Sequence, residues 1–158
     1  MRALPSAICL ASAALVAGGC VAFVPEPSDP RVLARDEARA TCTGTPDRAR
    51  ELAPVESSEA LYVRRPSKSG HETHLLGARL FVRPLPGVTP QLLERALRCH
   101  QARAALGEVP VADDDPWVLP EGWARIEVAG GGAALVVTVA ADRADDARRI
   151  LERASRAR

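Results

Sequence analysis

The sequence predicts an α+β fold: a small antiparallel sheet of three or four strands with two main helices packed on one face, a two-layer sandwich. Three observations carry this. "HLLGARLFVRP" alternates Leu76, Ala78, Leu80 and Val82 against Arg79, Phe81 and Arg83, the period-2 pattern of a strand with one face covered and one wet. "TPQLLERALRCHQARAALG" places Leu92, Leu93, Ala96, Leu97, His100 and Ala104 on one broad helical face. The order strand, strand, helix, hairpin, helix then fits helices segregated to one side of an antiparallel sheet.

Each element has local support. Asp29-Pro30 opens "RVLARDEARATC" with an N-cap and a proline at N1. "TGTPDRARELAPV" reads as a turn with a short helical turn. Glu59–Arg65 alternates Leu61 and Val63 with Tyr62 and Arg64 as a strand, and "PSKSGHET" is a polar connector. Thr89 caps the strongest helix, with Pro90 at N1 and Gly107 as its C′ stop; Glu94, Arg95, Arg98 and Gln101 fall outside its apolar face. "ARIEVAGGGAALVVTVA" is a hairpin with Ile126, Val128, Leu135, Val137 and Val139 inward and Gly130–Gly132 supplying positive-φ turn conformations. Asp142 is the expected cap of a last helix whose Ala147, Ile150, Leu151 and Ala154 form a stripe.

The first twenty residues stand apart. "MRALPSAICLASAALVAGGC" has one cation, an apolar run and small residues before Cys20, the layout of an export signal. The run is too short for a comfortable bilayer span, which takes roughly 20 residues. "VAGGC", Val16–Cys20, resembles the lipobox of bacterial lipoproteins, with Ala17 where that family usually has Leu. The resemblance implies cleavage before Cys20 and acylation of Cys20 with lipid such as palmitate. The division expected is a signal over 1–19, a Pro-rich tether over 20–30 ("CVAFVPEPSDP") and one domain over 31–158, with its core over about 59–157. The resemblance further implies a cell-envelope location at the outer membrane, facing periplasm or exterior. The alternative is an ordinary signal cut after Ala22, giving a secreted or periplasmic protein. "GARLFVRPLPGVTPQLLERALRCHQARAALG", "DDDPWVLPEGW" and "DDARRILERA" resemble segments of exported bacterial proteins of unknown function, which carries no activity across.

Export decides the cysteines. Cys9 leaves with the signal and Cys20 takes lipid, so Cys42 and Cys99 remain for a disulfide. Closing about 58 residues would add roughly 4 kcal/mol in the chain-entropy account. Loss of the signal removes only Arg2 and leaves equal numbers of basic and acidic residues. Such balance gives no electrostatic case for nucleic acid.

Candidate sites are few. The haem motif C-x-x-C-H fails, because Ala96 stands where its first cysteine belongs. Cys99 and His100, adjacent on a helix, point about 100° apart and make a poor catalytic couple. No G-x-S-x-G, P-loop or H-E-x-x-H is present. His71 and His74 ("HETH") with His100 or Cys99 are candidate metal ligands, against the plainer reading of His100 as a hydrogen-bonded core histidine. Asp113–Pro116 lacks the glycine and distal Glu of a calcium loop and reads as a solvated acidic turn. Trp117 and Trp123 are candidate partner-binding aromatics, although packing of their long loop is the plainer expectation. The arginines of the last helix alternate with Asp and Glu, as on a solvated face. The expectation is a membrane-anchored, non-enzymatic envelope protein, structural or partner-binding, without a cofactor. Its alternatives are a metal-binding envelope protein and an accessory or catalytic subunit of an envelope enzyme.

Overall fold

The computed structural model describes residues 29–44, 47–131 and 133–157. The expected signal, residues 20–28 of the tether and the acylation site Cys20 lie outside the described residues.

The fold is α+β. Helices α1 (Pro30–Thr41) and α2 (Ala49–Leu52) precede a hairpin of β1 (Val55–Ser67) and β2 (Gly70–Val82). Helix α3 (Pro90–Leu106), strands β3 (Arg125–Gly131) and β4 (Ala134–Ala140) and helix α4 (Ala144–Arg156) complete the chain. The sheet is antiparallel throughout, in the order β1-β2-β4-β3. Its register puts Leu80 opposite Val137 and Val137 opposite Val128, and Ala78 opposite Val139 and Val139 opposite Ile126. Directly opposed residues share a face, so these side chains form one apolar surface. Helix α4 covers its β1–β2 half and α3 covers β3. The core between the layers contains Leu80, Val82, Leu93, Leu97, Val137, Val139 and Ile150, all at most 1% exposed. On the other face Arg79 and Glu127 are exposed and Val136 and Thr138 half-buried, the alternation the sequence implies.

Helix α1 rests on α3 rather than in the two-layer core. Asp29 caps it, accepting from the Arg31 N–H at 2.9 Å, with Pro30 already inside the helix. The expected tether therefore gives its last residue to α1, because a fixed φ without an N–H suits the first helical position. The core also begins before residue 59, with Ala49 and Ala53 buried in the same apolar cluster and α2 packed on α3.

Four local expectations are corrected. The connector "PSKSGHET" is mostly paired strand: Arg65 faces Glu72 and Ser67 faces Gly70, leaving Lys68 and Ser69 as the turn. Gly130 and Gly131 stay in the ladder opposite Leu135 and Ala134, Gly130 has no positive φ, and Gly132 lies outside the described residues. A Cβ at Gly130 would make only an ordinary van der Waals contact, 3.5 Å from Pro90 Cγ at the start of α3, so neither turn geometry nor space requires a glycine there. Asp142 does not cap α4. Arg143 is the N-cap residue, in extended conformation without a side-chain bond, and Asp145 and Asp146 place negative charge in the first turn instead. Gln101 is buried, not outside, because its amide donates to the Ala124 carbonyl at 3.0 Å from a helix covered on more than one side.

Gly77 is where the sheet leaves no room for a side chain. Its φ is +148°, and a Cβ would collide with the Val139 carbonyl oxygen and stand 3.2 Å from Ala140 Cα. It sits at the last β2–β4 pair, beside the irregularity between Leu61 and Tyr62. Gly77→Ala is expected to cost about 2–3 kcal/mol through strain and backbone displacement. Urea denaturation checks this, and an unchanged midpoint would contradict it.

Candidate functional site

The site is built on α3, whose ends are fixed. The Thr89 hydroxyl accepts from the Leu92 N–H at 3.2 Å, and Gly107 closes the helix at φ +77°. The bonds Gly107 N–H to Ala104 and Glu108 N–H to Arg103 satisfy two terminal carbonyls. Between these caps the helical rotation sends Arg98, Cys99 and His100 to different neighbours.

Arg98 turns toward α1. One terminal nitrogen donates to a Glu37 oxygen at 2.9 Å, and Nε lies 2.9 Å from the other oxygen as an ion-pair contact that makes no hydrogen bond. Another terminal nitrogen reaches Glu94 at 3.3 Å. The Glu37 hydrogen bond is the leading reason that the guanidinium pKa is raised. Glu94 also accepts the Val128 N–H at 3.0 Å, so this network joins α1, α3 and the edge strand β3.

Cys99 is bonded to Cys42, the residue after α1, with their Cα atoms 5.0 Å apart. That separation is within the usual range for a disulfide.

His100 is 4% exposed and lies between two carboxylates. Its Nδ1 is 3.0 and 2.9 Å from the two oxygens of Asp47, and its Nε2 is 2.7 Å from Asp115 Oδ2. Asp115 is 1% exposed, and its other oxygen accepts the Trp117 N–H at 3.0 Å. Arg153 of α4 donates to the Asp115 and Val118 carbonyls at 3.2 and 3.0 Å. Only the imidazolium can donate to both carboxylates, because a neutral ring has one N–H. Burial, the largest influence, pulls the His100 pKa down; the hydrogen bonds to Asp115 and Asp47, with their charges, outweigh it and hold the pKa above the ordinary histidine value. The result is a charged strut tying the segment after Cys42, the α3–β3 loop and, through Arg153, α4 to one helix.

The chemistry available here is limited by those bonds, since both ring nitrogens are already engaged. A recess of about 240 Å³ lined by Asp47, Arg50, Glu51 and Pro110 reaches His100 from outside. His71 and His74 are elsewhere, exposed on β2. Three residues apart on a strand, they point to opposite faces, and His74 Nε2 lies 3.6 Å from Glu72. Among the described residues no three His, Cys, Asp or Glu side chains gather as a metal-binding group. The two tryptophans separate: Trp117 is buried in the core at 2% exposure, whereas half-buried Trp123 lines a cleft of about 480 Å³ with Glu37, Arg98 and Glu127.

Asp47 and Asp115 are partners of His100 that no sequence periodicity singles out. "DDDP" is not a uniformly solvated turn: Asp113 is exposed, Asp114 half-buried and Asp115 buried. The available signal was an Asp two residues before a core Trp, the spacing at which a carboxylate accepts a backbone N–H. Nothing local marks Asp47, which meets His100 because the packing of α1 on α3 and the Cys42–Cys99 bond together return its segment to α3.

No known protein family, curated protein or solved structure matches this chain.

Proposed function

We propose that the chain is an exported bacterial lipoprotein, acylated at Cys20, whose domain has a structural or partner-binding role at the cell envelope. The observation that carries the reading is the Cys42–Cys99 disulfide, since such bonds persist in oxidising compartments. It accords with "VAGGC" at the end of an apolar leader. No helix among the described residues is long and apolar enough to cross a membrane, so anchoring in this reading depends on lipid. Arg98, His100, Gln101 and Arg153 hold the domain's own segments together, which suits a module displayed on a tether.

The test is growth of an expressing bacterial host with labelled palmitate. The wild-type protein should carry label in the membrane fraction, and Cys20→Ala should abolish it and block maturation. Equal labelling of both, or unlabelled wild-type protein in the cytosol, would contradict the proposal.

A further inference from the structure

The β1–β2 hairpin runs beyond the sheet. Strand β4 pairs with β2 only over Gly77–Val82, whereas β1 and β2 continue to pair from Tyr62↔Leu75 to Ser67↔Gly70. This ribbon projects about 20 Å at the usual strand rise. Its residues are exposed or half-buried, with Tyr62 at 59%. A two-stranded ribbon without a third strand is marginal in water, so this arm adds little to the core.

Its two faces differ. One carries Val63, Arg65 and Ser67 opposite His74, Glu72 and Gly70, with the acid and bases of one face close together. The other carries Tyr62, Arg64 and Pro66 opposite Leu75, Thr73 and His71. That second face has cationic and apolar groups and no carboxylate, and Lys68 stands at the tip. Arg64, Arg65 and Lys68 have no ion-pair partner among the described residues. By contrast, Arg148 of α4 is paired with Asp145 at 2.9 Å.

We propose that the Tyr62–Arg64–His71–Leu75 face of this arm, with Lys68, docks on the phosphate headgroups of an anionic bilayer. This rests on the lipid anchoring proposed above. Residues 20–28 reach about 30 Å when extended, which keeps the domain beside the membrane that holds Cys20. Each cation at an anionic surface is worth about fivefold in partition. That is weak for a free protein and sufficient for a tethered one, where the second contact is intramolecular. Tyr62 and Leu75 supply the amphipathic ring and apolar contact that favour the headgroup level.

The experiment uses the protein as purified from the host, its acylation read first by mass, so anchoring and docking can fail separately. Amide hydrogen exchange is then followed on vesicles of phosphatidylcholine alone and on vesicles containing phosphatidylglycerol. Exchange over residues 62–75 should slow about tenfold on the anionic vesicles only. High salt and the R64E/K68E variant should remove the effect, while unchanged α3 and β4 exchange verifies the variant's fold. Equal exchange on both vesicles, or the same slowing in R64E/K68E, would overturn the proposal. Equal exchange on both would leave the arm to a protein partner.

Discussion

Replacing Asp115 with alanine is expected to lower stability by about 3–5 kcal/mol, the cost of leaving one member of a buried ion pair unmatched. The melting temperature should fall by roughly 10 °C or more. The loss has two sources. His100 Nε2 loses its 2.7 Å partner, and the Trp117 N–H loses its 3.0 Å acceptor. Asp115→Asn separates them, because the amide oxygen can still accept from Trp117 but carries no charge for the imidazolium. It should therefore fall between wild type and alanine.

The same site predicts a pH dependence. His100 has a folded-state pKa raised above its unfolded value, so protonation favours the folded chain. This contribution is complete below the unfolded histidine pKa of about 6.5 and is lost as pH rises through the higher folded value. Wild-type urea midpoints should fall across that window. Asp115→Asn should flatten the fall, since the group that raises the pKa most has lost its charge. A wild-type midpoint that rises through the window would contradict the charged-strut account.

Removal of the disulfide is the second large effect. Cys42→Ser with Cys99→Ser should cost about 4 kcal/mol by releasing a 57-residue separation in the unfolded chain. In this fold the loss should extend further. Asp47 follows Cys42 by five positions and contacts His100, the neighbour of Cys99. Cutting the bond therefore frees the segment that carries one of the imidazolium's two partners. The combined Cys and Asp47→Ala changes should cost less than the sum of their separate effects, as expected for groups that share a segment. Strict additivity in urea denaturation would show that disulfide and strut act independently.

The fold was legible where one residue pattern decides the outcome. Strand β2 alternates cleanly because its inner side chains meet α4 and its outer ones meet solvent. Helix α3 is bounded by Thr89-Pro90 and Gly107, and the structure uses both stops. The start of β1 was hidden because Glu56, Ser57 and Ser58 lie at a sheet edge with little burial to select apolar residues. The Gly130–Gly132 run suggested a turn by composition, although two of those glycines serve a paired strand beside Pro90. One apolar stripe places Gln101 outward, because a single stripe cannot register a second covering surface.

The site was legible only in half. Cys42 and Cys99 follow from counting thiols, and burial of His100 follows from its place on the stripe. Its partners do not, because the contacts span 53 and 15 residues and join side chains from loops without periodicity. Acidic runs also read as solvated by default, and only the packed loop around Trp117 makes Asp115 an exception.

The most direct measurement is the intact mass of the protein extracted from the membranes of its host, before and after reduction and alkylation. The account predicts a chain beginning at Cys20, heavier by its acyl groups, that takes up alkylating reagent at Cys42 and Cys99 only after reduction. A chain that retains Met1, carries no lipid and alkylates at every cysteine without reductant would contradict it.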